Sequence, residues 1–170
     1  MTTCANVILG TGLAFIDFPQ LRNGQVGNYC LWKFEPAPTR ARVTARASST
    51  DGIGDPNGPF LEKPGHWNSG GYAPAWIEAD LGAARKLERI TLEVRQTPRG
   101  DTVHEVWVSD EPIGNDTARA KLVHTFKGET DNLQELKHTF APGLSARYVQ
   151  IRSIDSPSWI GWNSIDLQVR

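Results

Sequence analysis

The sequence predicts an all-β domain, and three observations carry the prediction. Apolar residues alternate with polar ones in five separate runs. Turn signals rich in Gly, Pro, Asn and Asp fall between the runs. Segments with helical periodicity are nearly missing: Asp116 to Leu122 has room for one turn, and Leu81 to Leu87 is short and broken at Gly82. Alternation places one set of side chains on a core face and the other toward solvent, which is the pattern of half-buried antiparallel strands.

Taken in order, Val43 to Ser48 is the first strand of the set. Ile77-Glu78-Ala79-Asp80-Leu81 alternates, and so does Ile90-Thr91-Leu92-Glu93-Val94. His104 to Ser109, Arg147 to Arg152 and Ile165 to Val169 follow the same rule, and Leu122 to Phe126 and Glu135 to Phe140 add two shorter candidates. Asp51-Gly52, Pro56-Asn57-Gly58, Pro98-Arg99-Gly100-Asp101, Pro112-Ile113-Gly114-Asn115, Lys127-Gly128 and Ala141-Pro142-Gly143 separate them. About eight short strands so punctuated make a two-sheet sandwich or a barrel.

Glu35-Pro36-Ala37-Pro38-Thr39 marks a boundary, because two prolines one residue apart hold the chain extended. Residues 1–40 read as an extension with one or two strands or a hairpin, packed through its apolar residues on a main domain of residues 41–170. Met1 to Phe18 lacks a basic start and is interrupted by Gly10-Thr11-Gly12 and Asp17, so it does not read as a signal peptide. No apolar run is long enough for a transmembrane helix. Cys4 and Cys30 are too few for a disulfide framework or a zinc site; one bridge and two free thiols both stay open, according to compartment.

With 18 basic and 19 acidic residues, the chain has no global electrostatic reason to bind nucleic acid or an acidic membrane. No nucleophile elbow, zinc-protease helix, phosphate loop or dinucleotide fingerprint occurs, so no enzyme is predicted. His104, His124 and His138 lie in predicted strands and read as structural or surface residues.

Binding chemistry has more support. A sugar presents an apolar CH face and a rim of hydroxyls, so its site needs an aromatic platform beside planar hydrogen-bonding groups. Three loop regions supply these types. Residues 50–75 hold His66, Trp67, Asn68 and Tyr72. Residues 95–102 hold Arg95, Gln96, Arg99 and Asp101. Residues 155–163 read Asp155-Ser156-Pro157-Ser158-Trp159-Ile160-Gly161-Trp162-Asn163.

From residue 41 onward the sequence resembles the discoidin, or coagulation factor V/VIII type C, family, which overlaps the galactose-binding-like carbohydrate-binding modules. The residues that carry the resemblance are Ala47-Ser48-Ser49, Trp67-Asn68-Ser69, Ala75-Trp76-Ile77-Glu78-Ala79-Asp80-Leu81-Gly82, Leu87-Glu88-Arg89-Ile90, Glu105-Val106-Trp107-Val108-Ser109-Asp110-Glu111, Ala146-Arg147-Tyr148-Val149-Gln150-Ile151 and Ser164-Ile165-Asp166-Leu167-Gln168-Val169. The resemblance implies an eight-stranded antiparallel jelly-roll sandwich with binding loops at one end, and Arg147 paired with Asp80 or Asp166. It implies that a His in the first long loop, an Arg after a middle strand and a nearby aromatic hold the ligand. By position these are His66, Arg95 or Arg99, and Trp159 or Tyr72, with Asn68 as a further partner.

Among the tryptophans, Trp67, Trp76 and Trp107 are assigned to packing. Trp159 and Trp162 share one loop, and one of them closes the barrel end while the other is exposed. Both therefore stand as candidate ligand residues. Arg95, at a strand end, fits a ligand-binding and a salt-bridge role equally. Arg99-Gly100-Asp101 is sufficiently explained as a turn.

The resemblance also brings a structural Ca²⁺, for which Asp166 is the acid near the C-terminal strand. Lys63-Pro64-Gly65 stands where the family has Asp-Gly, and a Lys there repels a cation that wants oxygen ligands, so the sequence leans against the ion and implies no other cofactor. The function expected is a non-catalytic, lectin-like module for galactose-like or amino-sugar termini of a glycan or glycoprotein. The alternatives are an interaction module for another protein or for a second copy of the chain and, last, a membrane-lipid binder. The resemblance leans toward an extracellular or cell-surface setting.

Overall fold

A computed structural model describes residues 36–63 and 65–170. The strands or hairpin expected before residue 35, Trp32 and the Cys4–Cys30 pair lie outside the described residues. The chain divides into two units, Met1–Ala37 and Pro38–Arg170. The second begins at Pro38 because Thr39 and Arg40 already pair with Val169 and Gln168.

Its strands are β1 (Thr39–Arg40), β2 (Thr44–Ala47), β3 (Trp67–Asn68), β4 (Ala75–Val94), β5 (Gly100–Ser109), β6 (Lys121–Thr130), β7 (Glu135–Thr139), β8 (Ser145–Asp155) and β9 (Gly161–Val169), with one 3-10 turn at Gly58–Phe60. All pairings are antiparallel. One sheet runs β2-β4-β8-β5-β6. The other runs β7-β4-β9, with β1 and β3 on the far side of β9. The result is an all-β antiparallel sandwich, as the alternation predicts, and the jelly roll that the resemblance implies. Asp116 to Leu122 is a turn and the start of β6, not a helix.

β4 belongs to both sheets. Its first half pairs with β2 and β8, and its second half with β7 and β9. The two strands expected at residues 77–81 and 90–94 are thus one bent strand. The register slips between Asp80 and Arg85. Gly82 adopts φ +77° there, a left-handed conformation that costs glycine little. Its N–H donates to Asp80 Oδ1 at 2.8 Å. Here Gly makes a bulge that turns the strand from one layer into the other, not a hairpin that reverses it.

The core lies between the sheets. Ile77 and Ala79 of β4, Val106 of β5, and Val149 and Ile151 of β8 face Ile90 and Leu92 of β4 and Ile165 and Leu167 of β9, all buried. Each large aliphatic side chain removed from water contributes roughly 1.5–3 kcal/mol before entropy is counted. Trp67 is fully buried, and its Nε1 donates to the Ser49 carbonyl at 3.0 Å. Trp76 is also buried, with Nε1 donating to Asn115 Oδ1 at 2.7 Å. Trp107 differs from expectation. It falls on the outward set of β5, because Val106 and Val108 take the inward positions. Its Nε1 donates to Glu105 Oε2, its neighbour on that outer face, at 2.8 Å.

Arg147 meets Asp80 as the resemblance implies. Nε and Nη2 donate to the two carboxylate oxygens at 2.8 and 2.9 Å, a bidentate pair. The guanidinium holds the Asp80 carboxyl down at about 2. Glu78 is buried on the outer face of the first sheet. Arg46 donates to its Oε1, and the N–H groups of Ile113 and Gly114 and the Gln150 amide donate to Oε2. This buried carboxylate pins the 112–115 loop over β4 and β8.

Candidate functional site

Four loops meet at one end of the sandwich. They are the segment after β3, the segment after β4, the β6–β7 turn and the β8–β9 loop. Between them lies an open cavity of about 480 Å³ lined by Asn68, Tyr72, Arg95, Gln96, Thr97, Pro98, Asn132, Pro157, Ser158 and Trp159. Small-ligand sites commonly measure about 300–1,000 Å³.

Each side chain is placed by a strand end. Asn68 closes β3, which pairs with Trp162 and Gly161 of β9. Asn68 Oδ1 accepts from Gly70 N at 2.9 Å, leaving its amide nitrogen as a donor to a ligand. Arg95 follows the last residue of β4. Its N–H donates to the Gly161 carbonyl at 3.1 Å, and its Nη1 to Asn163 Oδ1 at 3.3 Å. Asn163 is in turn fixed by donating to the Val94 carbonyl. Arg95 is exposed, so most of its donor fork stays open to the cavity.

Gln96 lines the cavity as a support. Its Nε2 donates to the carbonyls of Thr130 and Gly100, and its Oε1 accepts from Thr130 Oγ1. Its backbone N–H donates to Asn132 Oδ1 at 3.3 Å, which ties the β6–β7 turn to the loop after β4. Tyr72 is 65% exposed and Trp159 47% exposed. Two aromatic rings are left open to water beside an arginine and two asparagines, an arrangement able to offer stacking and hydrogen bonds together.

Asn68, Tyr72, Arg95 and Trp159 are therefore brought together as the sequence suggests. His66 is half-buried next to the cavity and not in its lining. It lies near enough to act on Asp51. The amides of Gly54 and Ile53 hold that carboxyl below the usual range, and His66 and Arg95 add smaller contributions. Arg99 is outside the lining; it pairs with Glu129 across the β5–β6 hairpin. Glu129 raises the Arg99 guanidinium and is itself lowered.

Trp162 is a correction. It is 1% exposed, packed edge-on against the His104 ring at 4.9 Å, because it takes an inward position of β9. Of the two indoles in the loop, Trp162 closes the barrel end and Trp159 stays open. Sequence reading missed Asn132, which is distant in the chain from every other lining residue. Its only signal was the turn-forming Asp131-Asn132 pair between two strands.

Asp166 does not have the surroundings of a metal ligand. Both its oxygens accept from Gln168 Nε2, at 3.0 and 2.8 Å, and the Arg40 guanidinium faces it. Asp51 and Asp55 spend their carboxylates on the turns that follow them. Among the described residues no group of three or more His, Cys, Asp or Glu side chains is placed to hold a metal ion. The residues present do not fit a structural Ca²⁺.

A second groove crosses the outer face of β7-β4-β9, lined by Arg89, Thr91, Glu93, Glu135, Lys137, Ser164 and Asp166. It carries no aromatic residue, and Lys137 pairs with Glu135 at 2.6 Å. It has no platform for a sugar face.

The fold is that of a jelly-roll domain with an open cavity at its loop end. The F5/8 type C domain matches residues 36–167. The chain belongs to that family. A comparison with curated proteins finds no match. Among solved structures, the chain is similar to the family 32 CBM from C. perfringens NanJ in complex with galactose, with 18% identity, a TM-score of 0.61, and 74% of this chain and 93% of that chain covered. It is similar to chitosan-binding module 2 in complex with chitotriose, from a chitosanase/glucanase of Paenibacillus sp. IK-5, with 18% identity, a TM-score of 0.61, and 75% and 97% covered. A pectin binding carbohydrate binding module matches with 19% identity, a TM-score of 0.58, and 76% and 91% covered. At these identities the likeness is one of fold.

Proposed function

We propose that this domain is a non-catalytic carbohydrate-binding module whose loop-end cavity takes a galactose-like or amino-sugar terminus of a glycan. One observation carries the reading. The exposed indole of Trp159 and the Tyr72 ring share a single cavity with the open donors of Arg95, Asn68 and Asn132. The CH face of a pyranose stacks on an aromatic ring, and its equatorial and axial hydroxyls accept from guanidinium and amide groups. Several structural neighbours are themselves saccharide complexes, with galactose in one and chitotriose in another, which supports the ligand class.

The module binds without reacting. Nothing in the cavity pairs a nucleophile with a base, and the one strongly perturbed histidine, His104, is buried against Ser153 away from the lining. Binding is direct and preorganised, because Gln96, Asn163 and the β8–β9 loop fix the contacting groups before a ligand arrives. A glycan array followed by calorimetric titration with galactose, N-acetylglucosamine and chitotriose tests the proposal. Saturable binding to one of these classes supports it. No heat and no array signal at millimolar saccharide would overturn it.

A further inference from the structure

Arg40, the last residue of β1, is held differently from the surface ion pairs. Its Nη2 donates to two main-chain carbonyls, Pro59 O of the 3-10 turn at 3.3 Å and Ile165 O of β9 at 3.2 Å. Its Nε is shielded from water and faces Asp166 Oδ1 at 3.6 Å. That last contact is long for a hydrogen bond, so the carbonyls take the directed bonds and the carboxylate supplies charge. Two carbonyl oxygens and a carboxylate, drawn from chain segments about a hundred residues apart, thus converge on one cation. This donor set is the hard-oxygen kind that a Ca²⁺ ion selects. With no cation among them the oxygens repel one another.

We infer that Arg40 is the built-in cation of an oxygen socket, doing the work of a divalent metal in joining the 3-10 turn to β9. The surroundings of Asp166 do not suit a metal, and the guanidinium gives the reason: the charge and the donors are already covalently present. The socket also anchors the loop that begins at residue 50 and carries Asn68 and Tyr72 to the cavity. The inference rests on Arg40 and its partners and stands whether or not the cavity binds sugar.

Thermal unfolding of the full chain tests it. The wild-type Tm is the same in excess EDTA and in millimolar Ca²⁺. Arg40→Ala lowers Tm by on the order of 5 °C. Millimolar Ca²⁺ then recovers part of the loss, whereas Mg²⁺, which demands a tighter octahedral shell, does not. A wild-type Tm that rises with Ca²⁺ overturns the inference, as does an Arg40→Ala protein at wild-type Tm. An Arg40→Ala protein that Ca²⁺ leaves unmoved shows that hydrogen bonds alone matter and overturns the cation reading. If Arg40→Ala does not fold, Arg40→Lys decides: it keeps the charge and loses the fork, so its Tm falls without response to EDTA or Ca²⁺. A Lys variant that Ca²⁺ stabilises, or one as stable as wild type, refutes the proposal.

Discussion

Trp159→Ala removes the platform on which a sugar would stack, and its cost follows from exposure. A free indole side chain presents roughly 250 Å². The 47% left open at Trp159 is then roughly 100 Å² of aromatic surface. One pyranose face covers about half of that, roughly 50 Å², which at about 25 cal/mol/Å² is ~1.3 kcal/mol, or about tenfold in affinity. The folded state makes little use of this ring, so Tm should stay within about 2 °C of wild type. Calorimetric titration with the best saccharide from the array measures the affinity, and a thermal scan in the same buffer measures the fold. Affinity within about twofold of wild type, in a variant of unchanged Tm, would refute the stacking argument, because no other consequence of the open indole remains to be removed.

Three other outcomes follow from the same geometry. A Cβ on Gly161 would lie 3.1 Å from the Trp67 carbonyl and 3.2 and 3.3 Å from Arg95 Cβ and Cδ. Gly161→Ala should therefore displace Arg95 and weaken saccharide binding by about tenfold; titration that shows wild-type affinity rejects the positioning role. Glu78→Ala leaves two backbone N–H groups without their acceptor and the buried Gln150 amide with the Gly114 carbonyl alone, so denaturant unfolding should show a loss of roughly 3 kcal/mol, and a loss under about 1 kcal/mol would contradict the pinned-loop reading. Burial pushes His104 from 6.5 down to about 4. The unfolded chain then binds a proton that the folded chain refuses. The stability is full above the unfolded value and is lost as pH falls from about 6.5 toward 4, by about 3 kcal/mol in all. His104→Gln, which keeps a partner for Ser153, should flatten that slope in urea titrations at several pH values; an unchanged slope assigns it to other groups.

The strands were legible because alternation is a local property. β5, β8 and β9 each bury the apolar set that their sequence displays. Trp67 and the Arg147–Asp80 pair matched expectation for a related reason, since both lie beside strand motifs whose partners are fixed by register. β4 did not read correctly. Gly82 breaks the segment between two alternating runs, which reads as two strands, and only the pairing of both flanks with different strands makes it a bend between layers. Trp107 was misplaced because an aromatic in a strand is readily taken for core, whereas the two valines flanking it decide which face is inward.

The site divides along the same line. The residue types came from the sequence: an indole in a Pro/Ser/Gly loop, a tyrosine, an asparagine and an arginine at strand ends. Their convergence did not, because sequence distance says nothing of which loop ends meet. Trp159 and Trp162 stand three residues apart in one loop segment of the sequence, and only the start of β9 at Gly161 separates them: Trp162 enters the strand and turns inward, whereas Trp159 stays in the β8–β9 loop and is open. Asn132 joined the cavity through the β6–β7 turn, a connection between strands of different sheets with no chemical signature of its own. Sequence alone thus determined the all-β class, the family resemblance and the chemistry available for binding. The tertiary structure decided which of those groups share a cavity, and that the Arg40 guanidinium faces the Asp166 carboxylate, since both depend on contacts between segments that only the closed sandwich brings together.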